Sequence, residues 1–297
     1  MVPSPPAPVP GWLDRAGYPF TSRFLELSAG RLHYVDEGAG PPVLFVHGTP
    51  TWSYEWRHLI HALASGRRCV APDLLGFGLS DRPPRFAYTP EAHAGLLAEF
   101  VTRLGLDDFT LVVHDYGGPI GLPLCLDRPA RVRRLVLLNT WMWPLDDDPD
   151  LVRKARLAAS ALGRLLYRRC NASLRLLMPH AYGDRRKLTP AIHRQYLAPF
   201  PTAGGREQVL WALARALLGS SAYYAGLWAR RERLRGRPAL VVWGLADPAF
   251  RPHHLTRWAT LLGAEARIVR IPSAGHWPHE EEPATVCDAL ARFLGVS

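Results

Sequence analysis

Leu111-Val112-Val113-His114-Asp115-Tyr116-Gly117-Gly118-Pro119-Ile120-Gly121 is the stretch that decides the fold. An apolar run from Thr110 to Val113 ends abruptly at His114-Asp115. Small residues then open an apolar segment that continues to Cys125. Such a run, bounded by turn residues, reads as a strand buried on both faces. Gly117 and Gly118 permit a sharp bend and a close approach of strand to helix. The stretch therefore predicts strand, bend, helix, with Asp115 at the tip and its side chain over the end of the sheet. Taken alone, Asp115 reads equally as an N-cap of the following helix.

Working outward, the same grammar repeats. Pro41-Pro42 precede Val43-Leu44-Phe45-Val46, a buried strand, and the loop His47-Gly48-Thr49-Pro50 follows. Residues 54–64 read as an amphipathic helix and 69–71 as a strand. The loop after it, Pro72-Asp73-Leu74-Leu75-Gly76-Phe77-Gly78-Leu79-Ser80, lacks the glycine spacing and the lysine of a phosphate cradle. Residues 23–27 and 31–36 flank Ala29-Gly30 as a β-hairpin. Thr89-Pro90-Glu91 starts a helix to about residue 105, with Thr89 as N-cap and Pro90 at the first position. Residues 134–138, 239–243 and 267–271 are further strands, and 252–262 and 284–294 are helices. Strands alternating with helices predict a doubly wound, mostly parallel sheet. Between Trp141 and Arg237 the strand signal disappears, and helices interrupted by prolines and glycines replace it. An insertion there sits over the carboxyl ends of the strands, where open α/β sheets bind ligands. The expected division is a mobile proline-rich tail over 1–17, a core over 18–140 and 238–297, and a helical cap over 141–237.

Composition narrows the function. The 297 residues are 48% apolar and carry a formal charge of +10. Residues 151–235 hold 17 Lys and Arg against three acids, so the positive excess sits in the helical segment. Without a known motif or aromatic platforms, this charge does not indicate nucleic acid. It reads as a solvated helical face, with attraction of an anionic partner or product as the sharper alternative. Cys69, Cys125, Cys170 and Cys287 are far apart and form no ligand or disulfide pattern, so neither metal nor cofactor is expected. No apolar run reaches 18 residues, so no membrane span is expected. Residues 1–12 lack the pattern of a secretory signal, which makes a cytoplasmic location the expectation.

Two more residues fall where a catalytic set needs them. Asp247 follows the 239–243 strand through Gly244-Leu245-Ala246. His276 follows the last strand in Pro272-Ser273-Ala274-Gly275-His276-Trp277. Singly, Asp247 before Pro248 reads as a turn residue and His276 as a loop histidine. Together, Asp115, Asp247 and His276 give the order nucleophile, acid, histidine at three strand ends, which is that of the α/β-hydrolases. His114 reads as a packed strand residue and His279 as exposed. Asn139 ends a strand and is placed to orient the site.

From about Tyr18 to Gly295 the chain resembles the haloalkane dehalogenases and their relatives in the α/β-hydrolase superfamily. The resemblance rests on Leu32-His33-Tyr34-Val35-Asp36-Glu37-Gly38, on His47-Gly48-Thr49-Pro50-Thr51-Trp52-Ser53-Tyr54, and on the loop from Asp73 to Asp81. His114 to Gly118 and Gly244-Leu245-Ala246-Asp247 complete it. It implies an α/β-hydrolase fold, an eight-stranded, mostly parallel sheet flanked by helices with an inserted helical cap. It implies Asp115 as nucleophile, His276 as base, Asp247 as its acid, and the backbone N–H groups of Thr49 and Tyr116 as oxyanion donors. A carboxylate suits displacement at saturated carbon, giving an alkyl ester that water then hydrolyses.

The resemblance implies a small apolar electrophile as substrate and halide as product, in a monomer or homodimer. In these dehalogenases a Trp directly follows the nucleophile and an Asn follows His-Gly, or a second Trp comes from the cap. Here Tyr116 and Thr49 hold those positions, which leaves Trp141 or Trp143 to supply a leaving-group donor. An epoxide hydrolase uses the same three residues with two cap tyrosines, for which Tyr167, Tyr182, Tyr196, Tyr223 and Tyr224 are candidates. A haloacid dehalogenase requires Arg after the nucleophile, and Tyr116 argues against it. A non-catalytic binding protein on this scaffold has no need of all three catalytic residues.

Overall fold

The computed structural model describes residues 10–296. Its strands are β1 (Arg23–Leu27), β2 (Gly30–Glu37), β3 (Pro42–Val46), β4 (Arg68–Pro72), β5 (Phe109–Asp115), β6 (Val132–Thr140), β7 (Ala239–Gly244) and β8 (Ala266–Ile271). They form one sheet in the order β1-β2-β4-β3-β5-β6-β7-β8. β2 runs antiparallel to β1 and β4, and all other neighbours are parallel. Every residue of β5 and β7 is buried, as the continuous apolar runs require. The edge strand β8 exposes Arg267 and Arg270, charged residues that discourage pairing with a further strand. The helices Arg57–Leu63, Pro90–Arg103, Gly117–Asp127, Pro252–Leu262 and Pro283–Leu294 pack against this sheet.

Local signals set most boundaries. Thr89 caps its helix by accepting the N–H of Ala92 at 3.3 Å. The expected helix over 54–64 instead begins as a tight 3-10 turn, Ser53–Trp56, before continuing as Arg57–Leu63. The glycine-rich loop after β4 is organised around a buried carboxylate. Asp73 accepts the N–H of Ser53 at 2.9 Å and of Leu79 at 2.8 Å. Gly78 lies at φ +48°, and a Cβ there would meet an oxygen of Asp73 at 2.0 Å.

Among the described residues no strand occurs between β6 and β7. The segment holds the helices Pro149–Ala159, Pro190–Leu197, Ala212–Gly219 and Ser221–Ala229 with shorter helical turns between them. Asp148 and Thr189 cap the first two by accepting the N–H of Leu151 and of Ile192. Loops following three successive parallel strands reach up to this segment. Trp52 after β3 donates its indole N–H to the Gln195 carbonyl at 3.0 Å. Arg82 after β4 donates to the Pro199 carbonyl at 2.8 Å, and Tyr116 after β5 to the Leu213 carbonyl at 2.6 Å. The helical segment therefore lies over the carboxyl ends of the sheet.

The expected mobile tail is corrected in its second half. Residues 1–9 lie outside the described residues. Trp12 packs edge-on against Trp52 at 5.8 Å, Leu13 is buried, and the Asp14 N–H bonds Gln195 at 3.1 Å. An aromatic and a leucine at the end of the proline-rich stretch anchor it. Of the cysteines, Cys69 and Cys125 are buried, Cys287 is half-buried and Cys170 is exposed.

Candidate active site

Asp115 ends β5 with φ +48°, a left-handed conformation that costs a non-glycine residue about 1–3 kcal/mol. The β5–β6 ladder becomes irregular between His114 and Asp115, where the bend begins. The Thr140 hydroxyl donates to the Asp115 carbonyl at 2.6 Å and holds the bend. Glycines are required around it. A Cβ on Gly117 would lie 2.0 Å from the Val46 carbonyl, and one on Gly48 would lie 2.5 Å from the Asp115 Cβ. Asp115 is not the N-cap of the following helix, because Tyr116 occupies that flanking position. One Asp115 oxygen, Oδ2, accepts the Thr49 N–H at 2.9 Å, and the Tyr116 N–H beside the carboxylate also favours its charged form. The strained bend thus aims a carboxylate into two backbone donors.

His276 and Asp247 converge on this point from the loops after β8 and β7. His276 Nδ1 lies 2.7 Å from Asp247 Oδ2, and its Nε2 lies 3.6 Å from Asp115 Oδ1. The first distance is a strong hydrogen bond. The second is too long for one. All three side chains are buried. Asn139, at the end of β6 with φ +28°, donates to Asp247 Oδ2 at 2.8 Å and accepts the Gly244 N–H at 2.8 Å. It fixes the orientation of the Asp247 carboxylate.

The electrostatics follow from this packing. Burial disfavours a charged His276, but Asp247 and Asp115 outweigh it and push the imidazole up to about 9. Burial also works against ionising Asp247, yet His276, the Ala249 N–H and Asn139 hold it below its ordinary value. Asp115 is raised by burial, opposed in part by His276, His114 and the two backbone N–H groups.

The expected leaving-group residues separate. Thr49 stands beside Asp115, with its hydroxyl buried and unpartnered. The Tyr116 hydroxyl is committed to the Leu213 carbonyl and is not free for a leaving group. Trp141 packs edge-on against Tyr116 at 4.8 Å and stacks on Phe250 at 5.0 Å, and Phe250 in turn lies 5.6 Å from His276. Its indole N–H is buried without a partner. Trp143 corrects the expectation: it packs among Trp228, His254 and Trp258. It lies in the irregular stretch past β6, where a bend turns its side chain into that cluster. Of the five tyrosines considered, Tyr167 pairs with Ser173, Tyr196 with Glu280, Tyr223 with the Pro119 carbonyl and Tyr224 with the Ala216 carbonyl. The Tyr182 hydroxyl alone among them is buried and unpartnered, and its ring packs on Trp277.

His279 is a second correction. Expected to be exposed, it is fully buried and stacks on Trp56 at 4.8 Å. Beside it lies Glu55, also fully buried, which sequence reasoning passed over. The available signal was a lone acid inside the aromatic run Trp52-Ser53-Tyr54-Glu55-Trp56. Phe250 was missed as well, for it sits in a loop without periodicity.

Comparison with known proteins agrees with this architecture. Residues 41–283 match the family model of the alpha/beta hydrolase fold. Haloalkane dehalogenase 2 of Mycobacterium tuberculosis is 38% identical over 281 residues, covering 94% of this chain and 96% of that protein. A cis-3-alkyl-4-alkyloxetan-2-one decarboxylase of Shewanella oneidensis is 32% identical, covering 93% and 89%. The crystal structure of haloalkane dehalogenase DatA from Agrobacterium tumefaciens superimposes with a TM-score of 0.83 at 27% identity, over 93% and 97% of the two chains. The chain is an enzyme of the hydrolase type and belongs to the haloalkane dehalogenase family of the α/β-hydrolase fold.

Proposed function

We propose that this protein hydrolyses haloalkanes to alcohol and halide through a covalent alkyl ester on Asp115, without a cofactor. The observation that carries this reading is the Asp115 carboxylate on its strained bend. Two backbone N–H groups hold it, 3.6 Å from the His276 nitrogen that Asp247 backs. In the first step Asp115 Oδ1 bonds to the substrate carbon while the carbon–halogen bond breaks and its electron pair leaves with the halide. Oδ2 remains on the Thr49 N–H as the ester carbonyl, with the Tyr116 N–H as the second donor beside it. The buried indole N–H of Trp141 is the donor for the departing halide.

In the second step His276 Nε2 takes a proton from water as the water oxygen attacks Asp115 Cγ. The charge developing on Oδ2 meets the two N–H groups, each such donor being worth about 3 kcal/mol. Collapse breaks the bond between Cγ and the alkyl oxygen, and His276 returns the proton to the alcohol. One proton and one halide are released per turnover. Alkylation neutralises Asp115 and so removes one of the two anions that raise His276. The ring loses its proton at the stage where a base is needed. Residues 141–237 act as the cap over a core of 18–140 and 238–297. Trp141, Phe250 and Trp277 line a site for a small apolar electrophile.

The committed Tyr116 hydroxyl and the similarity to an oxetanone decarboxylase favour one second reading, elimination from a β-lactone on the same residues. A substrate panel of 1,2-dibromoethane, 1-iodobutane, styrene oxide and a cis-dialkyl oxetan-2-one separates the possibilities. Halide release from the first two supports dehalogenation. Alkene and carbon dioxide from the lactone without halide release supports the second reading. Diol from styrene oxide alone indicates epoxide hydrolysis, and no product from any of the four overturns both readings.

A further inference from the structure

Behind the catalytic histidine lies a cluster that the mechanism above does not use. Glu55, His114 and His279 are all fully buried. Glu55 Oε2 lies 3.4 Å from His114 Nδ1 and 3.7 Å from His279 Nε2. Both oxygens of Glu55, His114 Nδ1 and both nitrogens of His279 have no hydrogen-bond partner. The His114 ring also lies 4.8 Å from the His276 ring, and its Nε2 is 2.9 Å from the His276 carbonyl.

This last contact fixes a proton. A carbonyl only accepts, so His114 Nε2 must donate. His114 Nδ1 then faces a Glu55 carboxyl oxygen across 3.4 Å. The result is a second carboxyl–imidazole pair beside Asp247–His276, longer than the 2.7 Å bond of that pair. Asp247 holds the His276 ring, His114 holds its backbone carbonyl at 2.9 Å, and the Ala181 carbonyl holds its N–H at 2.8 Å. Without Glu55, the His114 ring loses the group that stands against its Nδ1 edge and is freer to swing its Nε2–H away from the His276 carbonyl.

We propose that Glu55, acting through His114, is a positioning residue for His276 and is needed for hydrolysis of the ester more than for its formation. The inference rests on the two-step reading proposed above. Alkylation draws on Asp115, Thr49 and Tyr116, none of which Glu55 touches. Hydrolysis requires His276 Nε2 to stand at the attacking water.

The test is pre-steady-state kinetics with 1,2-dibromoethane, following the halide burst and the alkyl-enzyme by intact mass. Glu55→Leu is expected to keep the burst within about threefold of wild type and to slow hydrolysis about tenfold or more, so that alkyl-enzyme accumulates. Glu55→Gln can donate its amide N–H to His114 Nδ1 and is expected to recover hydrolysis to within about threefold. His114→Leu should reproduce the Glu55→Leu defect, and the double variant should be no worse than either, since the two act as one unit. A folded Glu55→Leu that hydrolyses within about twofold of wild type, or that loses both steps equally, overturns the proposal. If Glu55→Leu does not fold, wild-type hydrolysis by His114→Leu overturns it. Absence of any alkyl-enzyme, even in His276→Phe, instead overturns the two-step reading and this proposal with it.

Discussion

Trp141 is the residue on which the leaving-group assignment turns. Its indole N–H is buried without a partner against Tyr116, while the hydroxyl of Tyr116 is already bound to a carbonyl. Trp141→Phe keeps the ring that stacks on Phe250 and removes the donor. The account predicts a fall of about a hundredfold in kcat/KM for 1-iodobutane, measured by halide release, with the melting temperature little changed. The convergence of Asp115, Asp247 and His276 was legible in the sequence because each stands at or just past the end of an apolar run that forms a strand. Asn139 was legible for the same reason. Trp143 was not separable from Trp141, because an aromatic two positions along carries no sign of which way it faces. Glu55 and His279 were hidden because they meet across the fold rather than along the chain.

At the scale of elements, the bend between β5 and the helix Gly117–Asp127 depends on residues without side chains. A Cβ on Gly117 would sit 2.0 Å from a backbone carbonyl of β3, which no rotamer change relieves. Gly117→Ala is therefore expected to lower stability by several kcal/mol or to prevent soluble expression, as read by denaturant unfolding. Gly105→Ala is a useful contrast. Its Cβ would meet nothing within 4 Å, so its cost is limited to that of the left-handed backbone at φ +63°, about 1–2 kcal/mol. The sheet itself was readable because parallel strands buried on both faces must be continuously apolar. Helix boundaries in the segment between β6 and β7 were less so. There the turns are decided by contacts such as Arg206 donating to the Arg168 carbonyl, which local pattern does not encode.

For the whole molecule, burying the proposed catalytic groups couples stability to pH. His276 is raised from 6.5 to about 9 by Asp247 and Asp115, despite burial. A folded-state value above the unfolded one contributes stability that is fully present below about 6.5 and is lost as pH rises through about 9. Urea unfolding of wild type should therefore show stability falling between these pH values. His276→Phe should show a flatter profile, and equal slopes would contradict the assignment. The helical segment is tied to the loops after β3, β4 and β5. Its place over the sheet followed from where it interrupts the strand series. Among the described residues no helix is long and apolar enough to cross a membrane.

The central claim is that Asp115 bonds covalently to carbon and that His276 releases the product. The most direct measurement is intact-mass analysis of His276→Phe after incubation with 1,2-dibromoethane, followed by peptide mapping. The account predicts one bromoethyl adduct per chain on the peptide containing Asp115, with one bromide released and no turnover. An unmodified protein, or an adduct on any other residue, would contradict it, provided that the wild-type enzyme turns over the same substrate.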